Sequence, residues 1–551
     1  MTQLNLSNPP IPRHDSTGSE ATLTVTPPPL DKPADLNKVT FAPEKNKEVG
    51  ARPTVKLSPS RKWGLLAIFS VAQYLDIAAV AGLFIFTDPI AKDLGILYES
   101  STWIVTAYIV TFSSFLMFFG RVSDLFSAKP VFTYSFLFLG LINLIISFMT
   151  NQYAFFVFRA LAGVAGAGTI PSAFRLIVSI FEPEELNVAL TIFGLSAPVA
   201  NGTGLIIAGL FGFITEGGQM AAWRWFFRMF TIICVPFSIL ALGLVPKIKG
   251  EHSSLCNSKK EKFKRLDIIG TLAMLFGIIS IILGLTLGAS YGFKSAKFLV
   301  PFLLSWPLFV GFFIWESRLP EGYALIPSSF WKIRNMGLIM GIALGGYTWW
   351  NNYQLVMVER FLSVFDESPI IAAVRLLPSG LAAVTVAAIM PHLLTRYKIT
   401  SFRWVIVLGT VLSASTYLLL IYSKGEIYDN NYWRWIFPAM ILGSGSAMAV
   451  FLGTNLTVMT SVSPSMSGVA GATLQVAFQV GGVVGLSVQA GFLTYHEGSL
   501  ANFSNVQASF WFEFGWLMLN ALVVLIFYRR KGDVKDLEDG VEGETVGPVV
   551  I

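Results

Sequence analysis

The chain carries fourteen apolar stretches of about 18 to 25 residues each, and no other feature limits its fold so strongly. Their cores run at 63–87, 102–120, 130–149, 153–178, 188–214, 225–246, 267–289, 298–315, 337–357, 369–390, 404–422, 434–459, 468–494 and 508–528. In lipid every backbone N–H and C=O must find a partner within the protein, so open-ended stretches of this length can cross a membrane only as helices. The expected fold is therefore an all-α polytopic membrane protein. Composition agrees: 54% of the residues are hydrophobic, 13% are charged, and the mean hydropathy is +0.63, which excludes a soluble globular chain.

The charged residues concentrate between the apolar stretches. With a cytoplasmic N-terminus, the short inner loops hold about fifteen Lys and Arg and the outer loops about seven, an excess that sets both termini inside. "KIKGEHSSLCNSKKEKFKR" carries the largest share of that charge and divides the chain. The net charge of +6 thus reflects membrane orientation, and nucleic-acid binding is excluded. Residues 1–62, rich in Pro, Ser and Thr, read as a disordered cytoplasmic tail with no secretory signal pattern, and 529–551 as a second tail. Two cysteines, Cys234 and Cys256, make no disulfide framework or metal knuckle.

The chain also repeats itself. "AGVAGAGTIPSA" in span 4 is echoed by "LGSGSAMAVFLG" in span 12, and "NGTGLIIAGLFG" in span 5 by "VGGVVGLSVQAG" in span 13. Both pairs lie eight spans apart, the offset expected of two six-span halves, 63–246 and 316–528, separated by a basic loop (247–266) and two inserted spans (267–315). The competing reading is that small residues recur wherever helix backbones approach closely.

"STWIVTAYIVT", then "GRVSDLFSAK" after span 2, resembles the major facilitator superfamily: Gly120, Asp124 and Lys129 match its loop signature, while Leu125, Ser127 and Ala128 depart from it. "RALAGVAGAG" matches the span-4 pattern at Arg159 and Gly163. "FGLSAPVANG" is similar to the antiporter motif at Pro198 and Gly202, with Ala197 and Asn201 where Gly is usual. With "YLDIAAV", "AAWRWFFRMF" and fourteen spans, the chain resembles the fourteen-span drug:proton antiporter group, in the form of fungal aminotriazole-resistance and boron-export proteins. The resemblance implies the major facilitator fold, two six-helix halves plus two inserted helices, with spans 1 and 4 lining a central cavity.

Asp76 reads as the one carboxyl in the middle of a span. A carboxylate at a helix centre costs roughly 2.5 to 3.5 kcal/mol on insertion scales, so it calls for a partner or a wet cavity. At 1.5 Å rise per residue Asp76 lies about 19 Å from the inner end of span 1 and Arg159 about 9 Å from the outer end of span 4, nearly one level. The pair is a candidate for proton coupling, since burial favours the neutral acid and a guanidinium favours the anion; the bland reading is a fixed salt bridge. Gly120, Asp124 and Lys129 are a candidate conformational latch, Asp124 facing a helix N-terminus for about 0.3 to 1 kcal/mol, against an ordinary loop ion pair. Gly163, Pro198 and Gly202 are candidate hinge residues, against static packing.

In span 9 "GGYTWWNNYQ" groups Tyr347, Trp350, Asn351 and Asn352 as candidate substrate contacts, against an aromatic belt at the outer interface. Gln475 and Gln479, four apart on span 13, and Asn201 on span 5 are further cavity candidates, with Asn455 weaker. Arg375 reads as an outer-gate cation or a snorkelling side chain. Asn502 in "NFS" is a candidate glycosylation site. No phosphate-binding Gly-x-x-x-x-Gly-Lys-Ser/Thr loop occurs, and the four histidines fall in tails or loops, so no enzyme, cofactor or metal is expected.

The expected function is a secondary carrier, a monomer that exports a small organic compound, drug or secondary metabolite against protons. The plasma membrane is its expected site, the vacuolar membrane the alternative. The nearest rival is a facilitator or uptake carrier for borate, ammonium or an amino acid; a receptor that has lost transport is the reading from another class.

Overall fold

The computed structural model describes residues 57–246, 265–320, 323–397, 402–428, 430–462, 467–493, 495–498 and 500–529. The tail 1–56, the basic loop 247–264, the tail from 530, Cys256, His14 and His252 lie outside them. Among the described residues the regular structure is all helical; thirteen of the fourteen stretches are helices long and apolar enough to cross a membrane, and the ninth is two shorter helices, numbered here as span 9. Spans 1 to 3 are Pro59–Leu94, Trp103–Leu125 and Ala128–Ile146. Span 4 is two helices, Gln152–Ala167 and Thr169–Ile180; spans 5 and 6 are Pro183–Phe211 and Ala222–Leu244. The inserted pair is Ile268–Tyr291 and Ala296–Arg318, spans 7 and 8. Span 9 is Met336–Ala343 and Thr348–Glu359, and spans 10 to 14 are Pro369–Arg396, Arg403–Tyr422, Phe437–Ser461, Ser467–Leu493 and Phe503–Phe527.

The ends follow helix chemistry. Pro59 and Pro183 open spans 1 and 5 at positions where the missing N–H is not needed. The Asn151 side chain accepts from the Tyr153 and Ala154 amides at the start of span 4, and Gly95 closes span 1 at a left-handed φ of 66°. Span 4 is jointed at Gly168, three residues before Pro171, which has no donor to continue the ladder.

The eight-span offset is visible in the packing. Span 2 packs on 4 and span 10 on 12; span 3 on 6 and span 11 on 14; span 3 on 4 and span 11 on 12; span 1 on 5 and span 9 on 13. Across the middle, span 5 packs on span 10 and span 2 on span 13, two contacts that exchange under the same offset. The inserted spans pack chiefly on each other, and span 7 leans on spans 2 and 13. Span 8 stays mostly on the outside, with Val300, Leu303, Trp306 and Val310 more than half exposed, as a lipid-facing helix requires.

Candidate functional site

Asp76, near the middle of span 1, is 5% exposed. Its Oδ1 accepts a hydrogen bond from the Tyr108 hydroxyl of span 2. Arg159 of span 4 is 1% exposed and stacks its guanidinium over the Tyr108 ring: its Cζ lies 4.8 Å from the ring centroid, and its Nε donates to the Ile104 carbonyl at 3.1 Å. Tyr108 therefore stands between the two charges, and no ion pair joins Asp76 to Arg159 among the described residues. One guanidinium nitrogen of Arg159 is buried with no hydrogen-bond partner. Such an arrangement leaves the cation poised toward the carboxylate through a ring face and a hydroxyl, rather than locked to it.

Tyr108 reaches Asp76 because two glycines of span 4 make room. A Cβ at Gly166 would strike the Tyr108 hydroxyl and stand 3.2 Å from Asp76 Oδ1; one at Gly163 would strike the Tyr108 carbonyl and Thr111 Oγ1. Thr111 Oγ1 donates to the Ala160 carbonyl at 2.7 Å and ties span 2 to span 4 there. Gly163 thus serves close packing beneath the carboxylate. Tyr108 was not singled out by sequence: a tyrosine in an apolar run reads as core.

Span 9 is broken where the sequence has consecutive glycines. Leu344–Tyr347 form a turn in which the Gly345 and Gly346 amides donate to the Ile342 and Ala343 carbonyls at 2.8 and 2.9 Å. Each Gly in a helix interior costs about 1 kcal/mol against Ala, so the pair marks the weakest point of the span. Span 13 cradles the break: a Cβ at Gly481 would strike the Leu344 backbone, and one at Gly485 would stand 2.9 Å from Thr348. Discontinuous helices at membrane depth occur where protein or a cavity covers the freed backbone.

The aromatic and amide side chains after the break face inward, not toward an interface. Trp349 and Trp350 are 1% and 9% exposed, and their indole N–H groups donate to Thr416 Oγ1 of span 11 at 3.1 Å and Ser444 Oγ of span 12 at 2.8 Å. Tyr347 is half-buried and packs on Phe451 and Phe478, and the helix that follows it packs on span 1 of the other half. Asn351, Gln475, Gln479 and Asn201 are half-buried, the last three from spans 13 and 5. Asn352 is fully buried, its side chain donating to Glu513 of span 14 and its carbonyl accepting from Gln489 of span 13. Asn455 is spent on its own helix, donating to Phe451.

A carboxyl that the sequence reading passed over corrects one expectation: Asp76 is not the only acid deep in a span. Glu513 of span 14 is 1% exposed, ten residues into its helix, and its Oε1 accepts from the Asn352 side chain. The boundary drawn at 508 had set it near the edge.

The motif residues hold the scaffold. A Cβ at Gly120 would stand 3.7 Å from Pro171, so span 2 packs there on span 4. Lys129 donates to the Val245 carbonyl at 2.6 Å, capping span 6. The Asp124 side chain lies outside the described residues. Pro198 sits inside the span 5 helix, and Gly202 meets Gly380 of span 10 backbone to backbone: a Cβ on Gly202 would stand 3.2 Å from the Gly380 Cα. Arg375 is held by Glu367 at 2.6 Å and lies over the Tyr432 ring. The Asn502 side chain caps span 14, accepting from the Ser504 amide and donating to the Glu497 carbonyl.

Comparison with known proteins agrees with this architecture. The family profile described as Major Facilitator Superfamily matches residues 66–486. The puromycin resistance protein pur8 of Streptomyces alboniger is 27% identical over 78% of this chain and 81% of its own. The major facilitator superfamily multidrug transporter mfsC of Aspergillus fumigatus is 24% identical over 91% of this chain and 94% of its own. Among solved structures, a peptide transporter POT in complex with sulfate superposes with a TM-score of 0.60 over 86% of this chain and 95% of that one, at 12% identity, which speaks for the fold alone.

Proposed function

The chain belongs to the major facilitator superfamily, and we propose that it exports a small organic compound in exchange for protons by alternating access. The observation that carries this reading is Asp76: a buried acid on span 1, bonded to Tyr108, with Arg159 stacked on that ring and span 9 of the opposite half packed on span 1. An acid so placed changes partners when the halves rock. Ionised, it holds the Tyr108 hydroxyl and draws on the Arg159 charge; protonated, it releases both. Each proton that enters down the membrane potential contributes about 2.3 kcal/mol per 100 mV, which the carrier can spend on expelling a solute.

Substrate contacts are assigned to Tyr347, Trp350, Asn351, Gln475, Gln479 and Asn201, which supply aromatic faces and neutral amides. A neutral, aromatic lining suits a bulky organic molecule better than a small ion, which would call for a fixed charge or a ring of carbonyls. The names of the two relatives, a puromycin resistance protein and a multidrug transporter, support export of such a compound. The carrier is read as a monomer of the plasma membrane, and the Lys and Arg excess in the inner loops supports an orientation with both termini cytoplasmic.

Flux into inside-out vesicles, with and without an imposed pH gradient, tests the reading across a panel of organic cations and metabolites. Gradient-driven accumulation is expected for the wild type and none for Asp76→Asn, with both proteins present at equal amounts in the membrane. Equal flux without a gradient would mean a facilitator, and normal transport by Asp76→Asn would remove Asp76 from the coupling.

A further inference from the structure

We propose that Glu513 is a second proton-binding site, which carries its proton in this conformation and yields it more readily when the contacts around the break in span 9 are rearranged. The inference rests on the reading of the chain as a proton-driven carrier but concerns a different group in the other half.

Glu513 is buried at a helix interface without a cation. Span 14, which carries it, packs against spans 9, 11 and 13. From span 9 it meets Asn352, which donates to Oε1; the Thr348 hydroxyl on the same helix donates instead to the Gly345 carbonyl at 2.9 Å. From span 11 the titratable group facing it is Tyr417, whose hydroxyl is buried and unpartnered. Span 13 contributes Gln489, which donates to the Asn352 carbonyl at 3.0 Å while its own Oε1 is left unpartnered. No Lys, Arg or His is bonded to Glu513 among the described residues. The second carboxyl oxygen, Oε2, is buried and has no partner.

An ionised carboxylate here would keep one full oxygen desolvated and unbonded with no counter-ion, an arrangement that proteins avoid by neutralising the group. A neutral acid accepts from Asn352 at Oε1 and leaves on Oε2 an uncharged hydroxyl, which costs far less to bury without a partner than a charged oxygen does. The unpartnered oxygens of Glu513, Asn352 and Gln489 and the idle Tyr417 hydroxyl make this an incomplete network, and such networks are stable in one arrangement and reorganise in another. Asn352 and Thr348 follow the Gly345–Gly346 break on the same short helix. A shift of that helix therefore removes the Asn352 donor from Glu513 and opens the acid to water or to a substrate.

The test reads the acid directly. Full-length protein reconstituted in bilayers is titrated by infrared difference spectroscopy, with no substrate and no gradient, so the outcome is independent of the export reading. The carbonyl stretch of a protonated carboxylic acid is expected at neutral pH, falling reversibly as pH rises; it persists in Asp76→Asn and is lost in Glu513→Gln. Where Glu513→Gln does not fold, Glu513→Asp is expected to displace the band. A band unchanged by either substitution, or one that does not titrate at alkaline pH, overturns the proposal, and so does a band abolished by exchanging choline for sodium, which would make this a metal-cation site.

Discussion

Tyr108→Phe removes one oxygen and leaves the ring on which Arg159 is stacked. Hydrogen bonds to charged groups contribute about 1.5 to 3 kcal/mol, so loss of this donor to Asp76 is expected to lower pH-gradient-driven flux by roughly tenfold to a hundredfold. Exchange driven by substrate alone should fall much less, because Tyr108 acts through the acid. Proteoliposome assays with the two driving forces separate these effects; equal losses in both would make Tyr108 a packing residue. Asp76 and Arg159 were legible in the sequence because a charge inside an apolar run announces itself, and their common depth followed from helix rise alone. Their true relation was not, because which side chain fills the space between two helices depends on rotation about each axis, and the enabling residue is the missing Cβ of Gly166. Glu513 escaped for a different reason. Helix rise places it about 15 Å into a span that begins at Phe503, but polar residues before 508 hid that start.

Among the elements, span 9 departs most from its sequence pattern. Hydropathy alone gives one continuous stretch over 337–357, and the pair of glycines is what divides it. The two are not equivalent. A methyl group at Gly345 meets nothing closer than 3.4 Å, whereas one at Gly346 would drive into the Phe478 ring of span 13. Gly345→Ala is therefore expected to fold normally, to gain up to about 1 kcal/mol from helix propensity, and to slow turnover by stiffening the break. Gly346→Ala is expected to destabilise the protein by about 1 to 3 kcal/mol through overpacking. Thermal unfolding in detergent distinguishes them: a melting point for Gly345→Ala below that of Gly346→Ala would contradict the geometry. The indoles that follow could be read from sequence as either an interfacial belt or a lining. Burial of Trp349 and Trp350 against spans 11 and 12 decides against the belt, a matter of tertiary packing that no local pattern encodes.

At the scale of the whole molecule, the two halves meet along spans 5 and 10 on one side and spans 2 and 13 on the other. The first of these contacts runs from Gly202, which touches Gly380, through Gly209, beside Ile370, to Gly212, beside Pro369, toward the end of the molecule that the proposed orientation makes external. Along this seam the glycines of span 5 lie against backbone, the Ala373 methyl and the Pro369 ring, and at Gly202 and Gly380 there is no side chain to yield. Gly202→Leu inserts four carbons where even a Cβ would stand 3.2 Å from the Gly380 Cα. Overpacking costs about 1 to 3 kcal/mol where the structure cannot move aside, but here the halves can part, so the same free energy shifts the closed population toward the open one by roughly fivefold to a hundredfold. A cysteine at Ile370, in a background free of Cys234 and Cys256, should be labelled slowly from the outside in the otherwise wild-type carrier and at least fivefold faster with Gly202→Leu. Substrate affinity measured from the cytoplasmic face should fall by a similar factor, since the inward-facing form is depleted. Labelling that is unchanged, in a protein that still folds, would mean that the seam opens elsewhere and that Gly202 serves packing alone.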